Sequence, residues 1–293
     1  GSSAAGSAAA GTAAAAGGAG AAAAGSGGAA GGAAGASSTP SLPAVPNTNG
    51  AGPFETMQDL RSGPKGASGV FRPRELGKDG LLHPLFVWGC GGGSTPTTYA
   101  ELMTQIASHG FVVIAETSQI NDNGAPLTAA IDWLIAENMR ADSPFFKKLD
   151  TSKIGLGGHS IGSANSFIVG PDPRLTTTLH VAGGSLDMPG NINAPTTGKG
   201  GKGLVHPVAY ICSQMDQFGN VEKTELDYMN TTAPAWMTVM SGVDHVAAAR
   251  QGMPAIIAWL RWHLAGESQR RAAFLDPMGE FNSGKYVSKN KNW

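Results

Sequence analysis

Residues 153–165, KIGLGGHSIGSAN, decide how the rest of this chain is read. The first half carries Ile154 and Leu156 in a short run bounded by glycine, the pattern of a buried strand. The continuation, IGSANSFIVG at 161–170, has the length and composition of a short helix. Between them stands Gly158-His159-Ser160-Ile161-Gly162, a G-x-S-x-G string. With 43 glycines in 293 residues, roughly half a match to that string arises by chance, so only its context gives it weight. A strand that turns sharply into a helix lifts the hydroxyl at the apex clear of the sheet edge, and small flanking residues let helix and strand approach closely. Ser160 is therefore the candidate nucleophile. The plain alternative is a Gly-rich strand-to-helix turn.

The segments on either side continue the alternation. HPLFVWG (83–89) reads as a buried strand ending in CGGGS, and TYAELMTQIASHG (98–110) as a helix stopped by Gly110. FVVIAE (111–116) is the next strand. LTAAIDWLIAENM (127–139) is a periodic helix with Ala130, Trp133, Leu134 and Met139 near one face. Downstream, LTTTLHVAGG (175–184) holds a strand, and residues 185–205 show no periodicity and read as a mobile rim. HPVAYICSQMD (206–216) is a strand ending on an acid, NVEKTELDYMN (220–230) a helix and PAWMTVM (234–240) the last strand. MPAIIAWLRWHL (253–264) is a C-terminal helix that tolerates Pro254 in its first turn. Strands alternating with helices predict an α/β fold with a mostly parallel central sheet, helices on both faces and no large lid domain.

A serine hydroxyl needs a base to take its proton, and the base needs an orienting group. His245 lies in SGVDHVAA, a loop opening on the same sheet edge as Ser160. His206 opens a strand at the opposite end, His263 sits in a helix, and His180 reads as a satisfied core histidine. Asp216 ends a strand at the carboxyl edge and is the candidate acid, with Asp187 and Glu222 as fallbacks. Asp244, adjacent to His245, is excluded on steric grounds. Acyl transfer also requires donors for the developing oxyanion. These are expected to be the backbone N–H groups of Ile161 and Cys90, with Gly91 as the alternative to Cys90. Gly91, Gly184 and Phe218 are candidate substrate-binding positions, and Ile161 and Phe218 plausible pocket walls.

Composition narrows the classes. Formal net charge is −1 without a basic stripe, which speaks against nucleic-acid binding. No apolar run approaches the ~20 residues of a membrane span. Cys90 and Cys212 are the only cysteines and read as free thiols, without the ligand spacing of a zinc site. Residues 1–39 contain only Gly, Ala, Ser and Thr and read as a flexible tether. Residues 40–53 read as a Pro-rich linker, 54–280 as one catalytic domain, and 281–293 as a solvated tail. No signal peptide is visible ahead of the tether, yet a tethered domain suits a secreted or periplasmic monomer.

Two other classes compete. Gly89-Cys90-Gly91-Gly92-Gly93-Ser94 imitates a dinucleotide fingerprint, with Glu116 as the ribose acid, but Ser94 replaces its third glycine. That nicotinamide-dependent oxidoreductase reading leaves Ser160, Asp216 and His245 as coincidence. The second is a catalytically silent relative serving as a binding module.

With these residues placed, the chain resembles bacterial cutinase-like and polyester (PET) hydrolase-like serine esterases of the α/β-hydrolase superfamily. WGCGGGSTPTTYAELMTQIASHGFVVIAE, GLGGHSIGSAN, DPRLTTTLHVAG and AWLRWHLAGESQRRAAFLDP carry the likeness over roughly residues 52–278. The resemblance implies secretion, no cofactor and hydrolysis of small or polymeric esters, with oxyanion donors at Cys90 and Ile161. Three departures stand out. Gly183-Gly184-Ser185 lies where relatives that bind aromatic polymers carry Trp, Ser163 replaces the usual elbow glycine, and the family's C-terminal cysteine pair is missing.

Overall fold

The computed structural model describes residues 40–188, 190–191, 196–218 and 220–293; the tether expected over 1–39 lies outside the described residues. Among the described residues nine strands form one sheet: β1 (Thr56–Ser62), β2 (Ser68–Pro73), β3 (His83–Gly89), β4 (Val112–Glu116), β5 (Leu149–His159), β6 (Leu175–Val181), β7 (Val208–Met215), β8 (Ala235–Asp244) and β9 (Tyr286–Lys291). Their order is β1-β2-β4-β3-β5-β6-β7-β8-β9. The block from β4 to β8 is parallel, while β2 and β9 join it antiparallel. The helices are α1 (Ala100–Ser108), α2 (Ala125–Met139), α3 (Ile161–Val169), α4 (Lys199–Lys202), α5 (Asn220–Asn230), α6 (Ala248–Gln251), α7 (Met253–His263) and α8 (Arg271–Leu275).

Strand alternation divides the core. Phe86 and Trp88 of β3 point to one face, where they pack with Leu102, Met103 and Ile106 of α1 and with Ile256, Trp259 and Leu260 of α7. Leu85 and Val87 point to the other, against Leu127, Ala130, Ile131 and Leu134 of α2. Farther along that second face, Phe167 of α3 and Tyr228 of α5 cover Val208 and Tyr210 of β7. This is the mostly parallel α/β-hydrolase arrangement with helices on both faces. Met139 departs from expectation: it is the last residue of α2 and 75% exposed, outside the buried stripe.

The strand order places the site. From β3 the chain moves to β4 on one side, and β5 then returns to the other. The helix after β3 and the helix after β5 therefore cover opposite faces. Their first turns diverge, opening a crevice beyond the carboxyl ends of these two strands.

Two expectations about the chain ends are corrected. Residues 40–53 are no free linker: Leu42 and Thr48 are buried, and Thr48 Oγ1 donates to Pro254 O at 2.9 Å. The buried Arg261 guanidinium donates to Pro43 O at 2.6 Å, and Arg270 to Val45 O at 2.7 Å. Proline-rich backbone keeps its carbonyls outside any regular ladder, so they serve as acceptors for these guanidiniums. The tail expected over 281–293 contains β9, which pairs with β8 from Met240↔Tyr286 to Ala235↔Lys291. Its lysines fit an edge strand, where charge discourages pairing with other chains. Lys289 and Lys291 lie 4.7 Å and 4.8 Å from the Tyr228 ring.

At the end of β4, Glu116 is buried and accepts the Ser68 hydroxyl at 2.5 Å. Burial pushes its carboxyl up to about 7, against the downward pull of that hydrogen bond. A pKa raised in the folded state means stability that is full below the ordinary carboxylate range and lost as pH rises through about 7. The stability difference between wild type and Glu116→Gln is therefore expected to shift by on the order of 3 kcal/mol, against wild type, between about pH 4 and pH 8. Denaturant unfolding at both pH values checks this, and a pH-independent difference refutes it.

Candidate active site

β5 ends at His159, and Ser160 follows with φ 55° and ψ −119°, a conformation that non-glycine residues adopt only under constraint. Its N–H donates to Val181 O at 2.9 Å, and its carbonyl accepts Ala164 N–H at 3.1 Å. The turn thus hangs from β6 on one side and starts α3 on the other. Gly162 makes the close approach possible, because a Cβ there would lie 2.0 Å from the Gly89 carbonyl oxygen. Ser163 donates its hydroxyl to Gly183 O at 2.6 Å, tying α3 to the loop after β6.

Asp216 and His245, each just past a strand end, are brought together, with His245 Nδ1 at 2.7 Å from Asp216 Oδ2. A carboxylate only accepts, so Nδ1 carries the proton and Nε2 of the neutral ring keeps its lone pair. The Asp216 side chain is fully shielded from solvent. Its carboxylate also accepts the Phe218 N–H at 2.8 Å and Asn220 Nδ2 at 3.2 Å to each oxygen. Burial pushes this carboxyl up, but the hydrogen bonds from His245, Phe218 and Asn220 outweigh it and hold the group below its ordinary value. Ser160 and His245 line one cavity of about 300 Å³, together with Gly91, Tyr99 and His159. Among the described residues no hydrogen bond joins Ser160 Oγ to His245; such contacts often tighten only when substrate binds.

The other candidates divide. Ile161 N–H, first in α3, has no hydrogen bond among the described residues and stands beside the nucleophile position. Cys90 is corrected: its N–H donates to Glu116 O at 2.8 Å and extends the β3–β4 ladder. Gly91, which lines the cavity, has its N–H engaged by Tyr99 Oη at 2.9 Å. The next amide, that of Gly92, makes no hydrogen bond among the described residues, and Gly92 packs against the Ile161 side chain. Gly184 is also corrected: it is buried against Lys223 and Thr224 and does not line the cavity. The Phe218 ring stands edge-on to His245 with centroids 4.7 Å apart, half exposed beside the cavity instead of in its lining. Both cysteines are free and buried, and burial pushes the Cys90 thiol far up, which suits packing over chemistry.

The remaining groups have other employment. His206 Nε2 meets Gly170 O at 2.8 Å, at the far end of the sheet. His180 is a core residue stacked on Phe167 at 3.7 Å, but among the described residues neither ring nitrogen has a hydrogen-bond partner, contrary to the expected satisfied histidine. His263 packs among Trp259, Trp262 and Trp293. Asp187 accepts Thr197 N–H at 2.8 Å, and Asp244 accepts Ala247 N–H at 2.8 Å. Part of the rim expected at 185–205 (residues 189 and 192–195) lies outside the described residues. Glu116, needed by the dinucleotide reading, is buried and bonded to Ser68, so no ribose can reach it. Among the described residues no three His, Cys, Asp or Glu group as a metal site, and no helix is long and apolar enough to cross a membrane.

Three contributors escaped the sequence reading: Asn220, Tyr99 and His159. Asn220 had a faint signal, a polar amide four residues after Asp216 at the start of a helix. Tyr99 and His159 had none, since their contact joins positions 60 residues apart.

A family model described as PET hydrolase-like matches residues 48–292, nearly all of the described chain. Among curated proteins, the chain is similar to Cutinase est2 of Thermobifida alba, 26% identical over 80% of this chain and 81% of that protein. It is 28% identical to Cutinase est1 of the same organism, over 80% of this chain and 82% of its relative. Cutinase cut1 of Thermobifida fusca matches at 29% identity over 42% of this chain and 43% of its own length. The strained serine turn lies inside the matched span, as do the acid–histidine pair and the sheet that carries them, and the chain belongs to the PET hydrolase-like family.

Proposed function

We propose that this ester hydrolase acts through Ser160 as nucleophile, His245 as general base and Asp216 as the acid that orients it. The observation that carries the reading is the 2.7 Å His245–Asp216 hydrogen bond, made by a histidine that shares its cavity with a serine at a constrained turn. His245 Nε2 takes the Ser160 proton as Oγ attacks the ester carbonyl. The oxyanion rests on the Ile161 and Gly92 amides, each without a hydrogen bond among the described residues, in place of the expected Cys90. The alkoxide leaves with the proton from His245, and water activated by the same imidazole then cleaves the acyl-enzyme.

The proposed substrates are short acyl esters and aliphatic polyesters. Leu102 and Ala249 give the cavity apolar wall, and Val246, 79% exposed at its mouth, extends it outward. No aromatic residue stands at Gly183-Gly184-Ser185 to stack on an aromatic polymer. The test is turnover of p-nitrophenyl esters of graded chain length, followed by product release from aliphatic and aromatic polyester films. A p-nitrophenol burst followed by steady turnover is expected, with greater release from the aliphatic film. Inertness toward every ester would overturn the reading in favour of a binding module, and faster release from the aromatic film would overturn the substrate assignment.

A further inference from the structure

Four segments meet at the site through three buried hydrogen bonds whose directions are fixed by chemistry. Gly91 N–H lies 2.9 Å from Tyr99 Oη, Tyr99 Oη lies 2.8 Å from His159 Nδ1, and His159 Nε2 lies 2.8 Å from the His245 carbonyl. A carbonyl only accepts, so Nε2 of His159 carries its proton. Nδ1 of the neutral ring is then bare and must be met by a donor. Tyr99 supplies it, and a phenolic oxygen that donates one bond still accepts another, here from Gly91. The sequence Gly91 N–H to Tyr99 O–H to His159, and His159 N–H to His245, therefore has a single consistent polarity.

The charge states agree with that assignment. Burial above all lowers the His159 pKa to about 4, so the ring is neutral near pH 7. Burial likewise pushes the Tyr99 phenol up to about 12, and the hydroxyl keeps its proton. Ser94, which also lines the cavity, approaches the Tyr99 hydroxyl as a second polar neighbour. The Tyr99 ring is held by Trp88, edge-on at 5.6 Å, and the His159 ring lies 4.8 Å from that of His245.

We propose that Tyr99 is a positioning residue that sets the His245 backbone, through His159, and the Gly91–Gly92 loop, directly, in register with Ser160. The inference rests on the proposed roles of Ser160 and His245. Tyr99 touches neither the reacting atoms nor the imidazole of His245. The His245 carbonyl dictates the Nε2-protonated tautomer of His159, and Tyr99 supplies the donor that the bare Nδ1 of that tautomer needs. By engaging the Gly91 amide, Tyr99 also leaves that of Gly92 as the first unbonded N–H after β3 among the described residues. Without the phenolic hydroxyl, His159 Nδ1 and the Gly91 N–H both lose their partner, and both loops lose their shared anchor.

The test combines a double-mutant cycle with histidine spectroscopy. Tyr99→Phe is expected to lower kcat for p-nitrophenyl butyrate about tenfold with KM changed less than about twofold, since groups already bound are mispositioned for reaction. In a His159→Phe background, adding Tyr99→Phe is expected to cost less than it does alone, because the path through His159 is already cut and only the Gly91 bond remains to be lost. Imidazole ¹⁵N spectra of the wild type are expected to show His159 protonated at Nε2 and bare at Nδ1, and Tyr99→Phe to keep that tautomer with the Nδ1 resonance displaced by loss of its donor. Wild-type kcat in Tyr99→Phe, or multiplicative losses in the double variant, overturn the proposal. A Nδ1-protonated His159 in the wild-type spectrum overturns it even where a variant folds poorly. A wild type inert toward esters, with the expected His159 tautomer, would instead remove the proposed roles of Ser160 and His245 while leaving the hydrogen-bonded chain intact.

Discussion

Replacing Ser160 with Ala is expected to lower kcat/KM for p-nitrophenyl esters by roughly 10⁴- to 10⁶-fold, the range seen when a triad nucleophile is removed. The size follows from what remains. His245 keeps its bare Nε2, and the amides of Ile161 and Gly92 stay in place, so only oxyanion stabilisation and substrate binding survive. The fold should be indifferent to the change. Ser160 forms no side-chain cap at the start of α3, and its backbone, held by Val181 and Ala164, is no less tolerable for alanine than for serine. A melting temperature within about 2 °C of wild type is therefore expected alongside the loss of activity. Activity within tenfold of wild type would place the nucleophile elsewhere. The buried Cys90 and Cys212 would be poor replacements, because burial pushes both thiols up, Cys212 to about 12.

What could be read from the sequence divides by physical range. The turn at Ser160 was legible because a strand, a small-residue apex and a helix are contiguous and each has its own local pattern. Asp216 and His245 were legible as a pair of strand ends on one edge, since in a parallel sheet every strand carries its carboxyl end to the same side. Their 2.7 Å approach follows from β7 and β8 being neighbours. That the Cys90 amide is engaged was not legible, because a backbone N–H advertises nothing in sequence. The Cys90 amide is taken by Glu116 only because β3 and β4 are adjacent. The packing of Gly184 was hidden for a related reason, since a glycine beside the site reads alike whether it faces a cavity or packs beneath α5. The errors at the ends share one cause. Both the 40–53 segment and β9 are poor in apolar side chains, and both are held mainly by backbone groups. Hydrophobic periodicity cannot register that kind of bond.

Asp216→Asn is the second large effect, and its argument turns on one proton. An asparagine presents an N–H donor as readily as a carbonyl, so it no longer obliges His245 Nδ1 to carry the hydrogen. Where the amide N–H faces Nδ1, the imidazole moves its proton to Nε2, the position that must be vacant to accept from Ser160. A loss in kcat of about 10⁴-fold is expected, with KM little changed, because the geometry survives while the tautomer is wrong. The surroundings bias the variant further: Asn220 Nδ2 lies 3.4 Å from His245 Nδ1 and donates to Asp216, so it favours the amide oxygen toward itself and the N–H toward the histidine. Stability is affected with a definite sign. The Asp216 carboxyl is held below its ordinary pKa by the hydrogen bonds from His245, Phe218 and Asn220 that overcome burial, so its ionised form stabilises the folded chain above the usual carboxylate range. That contribution disappears as pH falls through the lowered value, and the asparagine variant lacks it at every pH. Wild type and variant should therefore converge in unfolding free energy toward strongly acid pH and diverge near neutrality. Steady-state kinetics and denaturant titrations on the same two proteins check both halves. A variant retaining activity within tenfold of wild type would remove Asp216 from the mechanism, and Asp187, its carboxylate already taken up by Thr197, would be a poor successor.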